Sequence, residues 1–183
     1  MSSAVLAALL FAWLAGAVMH GDLARFDVAA RDTIHSRATP GLTSAMQWVT
    51  QLGSVPFLVV LGAMAVWELV RQGRPRAAAM LAMAALGGEC VDQGLKFLFR
   101  RPRPEAFFGA APASYSFPSG HSVESVCLYG ALAAIVASNL PSWRSRLAVW
   151  TAGALVALLV GFSRIYLGVH YVTDVIGGYL AAT

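Results

Sequence analysis

Apolar residues run along this chain in six stretches, over 4–19, 55–70, 77–99, 122–140, 147–162 and 171–183. A helix needs roughly 17–25 predominantly apolar residues to cross the hydrocarbon core of a bilayer. In lipid a backbone must satisfy its own hydrogen bonds, so such stretches predict helices rather than open strands. The pattern predicts an all-α, polytopic membrane protein with about six transmembrane helices. The first stretch has no basic residue before it, unlike a secretory signal, and reads as a retained span. The third turns polar on one face in its second half, where Glu89, Asp92 and Lys96 fall. The sixth is short of a full crossing by about a turn or more.

The long connection over 20–53 has a different pattern. It mixes Asp22, Arg25, Asp27, Arg31, Asp32 and Arg37 with Phe26, Ile34, Leu42, Met46 and Val49. That alternation predicts short amphipathic helices lying on the membrane interface, broken at Pro40. No internal repeat, low-complexity tract or polar linker divides the chain, so 1–183 reads as a single membrane-embedded domain.

Composition supports this reading. With 58% hydrophobic and 12% charged residues, the chain has too little polar material to clothe a water-facing surface. The basic residues are sparse and do not line a face with interleaved aromatics, which argues against a nucleic-acid partner. Their distribution says more. The short loops holding Arg71, Arg74 and Arg76, and Arg144 and Arg146, should face the cytoplasm by the positive-inside bias. Arg100, Arg101 and Arg103 then lie on the outer side, against that bias, and binding an anion there accounts for them. Cys90 and Cys127 sit in apolar surroundings outside any CxxC pair or metal-ligand spacing, so neither a redox role nor a structural zinc is expected.

Three segments on the predicted outer face carry candidate chemistry. The first holds Lys96 and Arg103, with Pro102 and Pro104 stopping the third helix near Lys96. Taken alone it reads as a snorkelling lysine with headgroup-binding arginines. The second is Pro118-Ser119-Gly120-His121, opening directly into the fourth stretch. A turn feeding a helix points free N–H groups, at the positive end of the helix dipole, toward a bound anion. Ser119 adds a hydroxyl and Gly120 a close backbone approach; a plain serine-capped helix start fits this segment equally well. The third is Ser163-Arg164, then His170, then Asp174. His170 and Asp174 are spaced to share one helical face. A carboxylate accepting from one imidazole nitrogen leaves the other free as a nucleophile. The plainer reading is a neutral pair of polar residues satisfying each other in the membrane. Of the other polar residues, Glu89, Asp92 and Glu124 read as structural partners, and Arg100, Arg101 and Glu105 as shapers of a substrate entrance. Tyr115, Phe117, Phe107 and Phe108 read as loop packing.

Together the three segments resemble the type-2 phosphatidic acid phosphatase family, also called the lipid phosphate phosphatase superfamily. The family pattern is Lys, six residues, Arg-Pro; Pro-Ser-Gly-His; and Ser-Arg, five residues, His, three residues, Asp. Here Lys96 with Arg103-Pro104, Pro118-Ser119-Gly120-His121, and Ser163-Arg164 with His170 and Asp174 meet every spacing. The resemblance implies that His170 attacks phosphorus to form a phosphohistidine, oriented by Asp174, while His121 protonates the leaving oxygen. It further implies that Lys96, Arg103, Ser119, Gly120 and Arg164 hold the phosphoryl oxygens, with no metal and no cofactor. The implied substrate is a lipid phosphate of the bacterial envelope, with undecaprenyl diphosphate or phosphatidylglycerol phosphate first. The implied place is the inner membrane, with the site facing the periplasm. A lipid phosphotransferase would use the same residues. A transporter using Glu89, Asp92 and the arginines is the non-enzymatic alternative, though no repeated halves or paired broken helices support it.

Overall fold

The computed structural model describes residues 3–110 and 112–183, and among them every regular element is a helix. The first apolar stretch forms α1 (Ser3–His20), and the amphipathic connection forms α2 (Ala24–His35) and α3 (Pro40–Gln51). The remaining stretches form α4 (Val55–Arg71), α5 (Pro75–Phe99), α6 (Gly120–Ala137), α7 (Trp143–Tyr166) and α8 (Val172–Ala181).

Local chemistry explains the boundaries. Thr39 caps α3 by accepting the Leu42 N–H at 3.3 Å, and Pro40 occupies the first helical position, where its missing N–H costs nothing. Ser142 caps α7 in the same way, through the Ser145 N–H at 3.1 Å. Helix α5 stops at Phe99 because Arg100 turns left-handed (φ 48°) and Pro102 and Pro104 follow.

The packing is that of a protein in lipid. Large apolar side chains such as Trp13, Val59, Met64, Trp67, Met83 and Leu158 face outward, whereas Asp27, Asp92, His170 and Asp174 are buried. A water-soluble domain distributes these residues the other way round. Helices α1, α6 and α7 are each long and apolar enough to cross a membrane, and α3 with α4 forms one such pair, bent by 46°. On length and composition, then, three or four crossings qualify instead of the expected six. Helix α5 has 25 residues, but Glu89, Asp92, Gln93 and Lys96 make its second half polar, and α8 has only ten residues.

Two clusters hold the ends of the bundle in register. Leu58 and Leu69 of α4, Ala78 and Leu81 of α5 and Leu128 of α6 form one core. Leu14, Ala15 and Val18 of α1 pack with Phe117 from the loop before α6, with Phe99 and Leu180 alongside, so Phe117 packs the loop as expected. Helix α8 reaches α6 at Gly178. A Cβ there would lie 2.7 Å from the Ser122 Cβ and 2.8 Å from the Ser119 carbonyl oxygen, neither of which is the end of a flexible side chain. Gly178→Ala is therefore expected to cost about 1–3 kcal/mol by overpacking. A fall in the melting temperature of the purified protein in detergent would register it; an unchanged melting temperature would show that α8 shifts freely.

Candidate active site

Two connections at one end of the bundle meet over the helix ends. The loop between α5 and α6 lies across the short join between α7 and α8, where the Phe107 N–H donates to the Leu167 carbonyl at 3.2 Å. His170 lies in that join and is 1% exposed. Its Nδ1 is 3.3 Å from Asp174 Oδ2, and its Nε2 is 2.8 Å from Arg103 Nη1. A guanidinium can only donate, so Nε2 is the acceptor and Nδ1 carries the proton toward Asp174. Burial draws the His170 pKa down to about 4, against the opposing pull of Asp174, so the ring is neutral at neutral pH.

The pair does not share a helical face, as the spacing had suggested. Helix α8 begins at Val172, and Asp174 sits in its first turn, accepting the Tyr171 N–H at 2.9 Å. The carboxylate serves as a cap for the helix start, and the same residue then receives His170 from the preceding join. It also accepts from Arg101 Nη1 at 2.5 Å and from the Ser116 hydroxyl.

The cations surround this pair. Arg103 is held in place by three carbonyl and hydroxyl acceptors besides His170: Val169 O at 3.0 Å, Ser114 O at 2.7 Å and Ser114 Oγ at 2.8 Å. Burial lowers its pKa, yet a guanidinium remains charged at any physiological pH. Lys96, in the last turn of α5, places Nζ 2.5 Å from the buried Asp92 Oδ2. The Pro-Ser-Gly-His turn lies directly on that pair. A Cβ at Gly120 would sit 2.8 Å from both Lys96 Nζ and Asp92 Oδ2, so the bare glycine backbone lets the turn rest against the pair as they stand. Ser119 ties the turn to α8 by donating its N–H to the Asp174 carbonyl at 2.9 Å. Its hydroxyl is buried without a protein partner. Arg164, at the end of α7, donates from Nη1 to Thr50 Oγ1 of α3 at 2.8 Å, while its Nε is likewise buried and unpartnered. His121 enters from the first turn of α6, and the ionisable groups around it are Arg164, His170, Lys96 and Arg103. The eight residues singled out from the sequence thus converge at one end of the bundle.

The sequence reading missed several contributors. Arg101 does not shape an entrance: its side chain is 12% exposed and lies behind Asp174, bridging it to Asp27 of α2. Nothing in the sequence signalled Asp27, which sits in an amphipathic helix without a motif. Asp92 was legible as a structural partner, and its helical spacing from Lys96 was the clue to which partner. The fold also brings Glu89, Asp92 and Glu124 together, with ligand atoms within 4.8 Å of one another, from two helices that no sequence spacing relates. One oxygen of Asp92 there already serves Lys96. Beside this group, a cavity of about 240 Å³ runs between α4, α5 and α6, lined by Val55, Leu58, Leu86 and Leu128.

The profile of the PAP2 superfamily matches residues 76–183, the part of the chain that carries all three motif segments. Phosphatidylglycerophosphatase B of Bacillus subtilis (strain 168) is 34% identical over 147 residues, covering 76% of this chain and 70% of the relative. Undecaprenyl-diphosphatase BcrC of the same organism is 28% identical over 146 residues, covering 77% of this chain and 69% of the relative. Among solved structures, a transmembrane PAP2-type phosphatidylglycerolphosphate phosphatase from Bacillus subtilis superposes with a TM-score of 0.92 at 29% identity, covering 100% of this chain and 91% of that one. LpxE of Aquifex aeolicus shares the fold, with a TM-score of 0.66 at 23% identity over 86% of this chain and 90% of that one. With the family profile over more than half its length and a relative of this identity and coverage, the chain belongs to the PAP2 superfamily and is a membrane phosphatase.

Proposed function

We propose that this protein hydrolyses a phosphomonoester or diphosphate of an envelope lipid through a phosphohistidine on His170. The observation that carries the reading is the state of His170: neutral, with Nδ1–H directed at Asp174 and the Nε2 lone pair directed at a cation. The Nε2 lone pair attacks phosphorus as the bond from phosphorus to the lipid oxygen breaks, and His121 gives that oxygen its proton. His121 then takes a proton from water, whose oxygen attacks phosphorus. The P–N bond breaks, and inorganic phosphate leaves. Arg103 passes from Nε2 to a phosphoryl oxygen when substrate arrives. Lys96, Arg164, the Ser119 hydroxyl and the N–H groups of Gly120 and His121 hold the remaining oxygens. Phosphoryl transfer relies mainly on such positioning and charge, which fixed cations supply here without a metal.

The tail has an apolar route in the cavity between α4, α5 and α6, which ends at Glu124, one helical turn from His121. Orientation follows from the helix directions. Helices α4 and α6 start beside the site, while α5 and α7 end there, so the arginine loops over 71–76 and 144–146 lie at the far end. That supports a site facing the periplasm across the bacterial inner membrane. One membrane-embedded domain over 1–183 supplies the whole site. Relatives named for phosphatidylglycerophosphate and for undecaprenyl diphosphate support those two substrates first.

The test is phosphate release by purified protein from a panel holding both lipids, phosphatidic acid and a lipid A phosphate. Release with and without a chelator is compared. Activity on at least one lipid, undiminished by the chelator, is expected. Loss on chelation that magnesium restores would move the charge neutralisation to a metal, with Glu89, Asp92 and Glu124 as its first candidate ligands.

A further inference from the structure

Among the described cations around His170, Arg101 is committed to two buried carboxylates, and its contacts show how. Its Nη1 donates to Asp174 Oδ1 at 2.5 Å and to Thr173 Oγ1 at 2.8 Å, and its Nη2 donates to Asp27 Oδ2 at 2.8 Å. The guanidinium carbon lies 4.3 Å above the Tyr171 ring. Asp27 is fully buried and also accepts the Thr173 N–H at 3.1 Å and the Thr173 hydroxyl at 2.5 Å. Helix α2 is thereby pinned to the first turn of α8 by one carboxylate.

We propose that Asp27 and Arg101 are positioning residues that keep Asp174 ionised and aimed at His170, which makes α2 part of the device that activates the nucleophile. The inference rests on the phosphohistidine reading and deepens it. Asp174 must be ionised to accept from His170 Nδ1–H and to stabilise the cationic ring once Nε2 carries phosphate. A buried carboxylate favours its neutral form unless charge and hydrogen bonds offset the loss of water. The charged and titratable groups around Asp174 are Arg101 and Arg103 from the loop, His170 from the join, Asp27 from α2, His121 from α6 and Arg164 from α7. Helix α1, packed on α8, brings apolar Leu14, Ala15 and Val18. Among the described residues, Arg101 alone of the permanent cations bonds to the Asp174 carboxylate; Arg103 is committed to His170 and Ser114.

A flexible arginine two residues from Arg103 could swing toward the substrate phosphate. Asp27 prevents that by taking its second nitrogen. One cation shared by two carboxylates leaves a single net negative charge, which the phosphorylated imidazolium then neutralises. Without Arg101, two buried carboxylates would face each other and one would take up a proton.

The experiment measures kcat, KM and their pH dependence for the purified wild type and for Arg101→Gln, Asp27→Asn and the double variant. Arg101→Gln is expected to lose about 10²–10³ in kcat at neutral pH with KM little changed, and to recover as the pH rises and Asp174 ionises. Asp27→Asn, nearly isosteric and able to keep the Thr173 N–H contact through its amide oxygen, is expected to lose about tenfold in kcat with the helical fold retained by circular dichroism. The double variant should regain at least about tenfold over Arg101→Gln, because the competing carboxylate is gone. Wild-type kcat in Asp27→Asn, or a loss in Arg101→Gln that is equal at every pH and not relieved in the double variant, would overturn the proposal. A wild type that releases no phosphate from any lipid would instead sink the phosphatase reading.

Discussion

Replacing His170 with alanine is expected to lower phosphate release by at least about 10⁴-fold while leaving the helical fold intact, because a nucleophile has no substitute among its neighbours. Lys96, Arg103 and Arg164 stabilise charge but carry no lone pair to donate. His121 is the other imidazole of the site, and the proposed mechanism already uses it for the leaving oxygen. His170 is almost wholly buried but lies in the join before α8, so its loss leaves every helix cap in place, Asp174 still accepting the Tyr171 N–H. Circular dichroism should therefore match wild type, and an acid-labile phosphoenzyme should form in wild type and be absent in the variant. Full turnover by His170→Ala would end the mechanism.

The pH dependence follows from the same residue. Attack requires the neutral ring, and burial holds the His170 pKa near about 4. Nucleophilic activity is then constant above that value and falls as the pH drops through it. The folded protein also binds fewer protons here than the unfolded chain, whose histidine has the ordinary pKa of 6.5. This site therefore favours folding above that value, and the contribution is lost as the pH falls from there toward about 4.

The second large effect is expected at His121. Glutamine there keeps a polar side chain of similar reach but cannot hand over a proton, and removing a general acid costs about 10²–10⁴ in rate. The loss should depend on the leaving group. A lipid alkoxide needs the proton and should show the full deficit; an aryl phosphate, whose phenolate leaves unaided, should show far less. With the aryl substrate, the second step lacks its base, so product should appear in a burst of one equivalent followed by slow turnover. Equal losses on both substrates and no burst would remove His121 from proton transfer and leave it a phosphate ligand.

The sequence and the structure contribute differently to these predictions. The membrane class was legible because the bilayer imposes it on composition and on the length of each apolar stretch. The starts of α3 to α6, and the end of α5 before Pro102, were legible to within a turn because proline and glycine act locally, whereas α7 starts at Trp143, just over a turn before the apolar stretch. The crossings were less so. Hydropathy alone could not show that α3 and α4 form one pair bent by 46°. Asp27 was invisible because its partners, Arg101 and Thr173, lie 74 and 146 residues away and no periodicity relates them.

By itself, then, the sequence determined that this is a helical membrane protein with a histidine, an aspartate and a set of cations at spacings suited to phosphate, since those properties reside in residue type and short-range order. Tertiary structure decided which nitrogen of His170 is free and what holds Asp174 behind it. Both depend on groups from separate segments of the chain meeting within hydrogen-bond distance in a buried site. There the choice of partner sets both charge and tautomer.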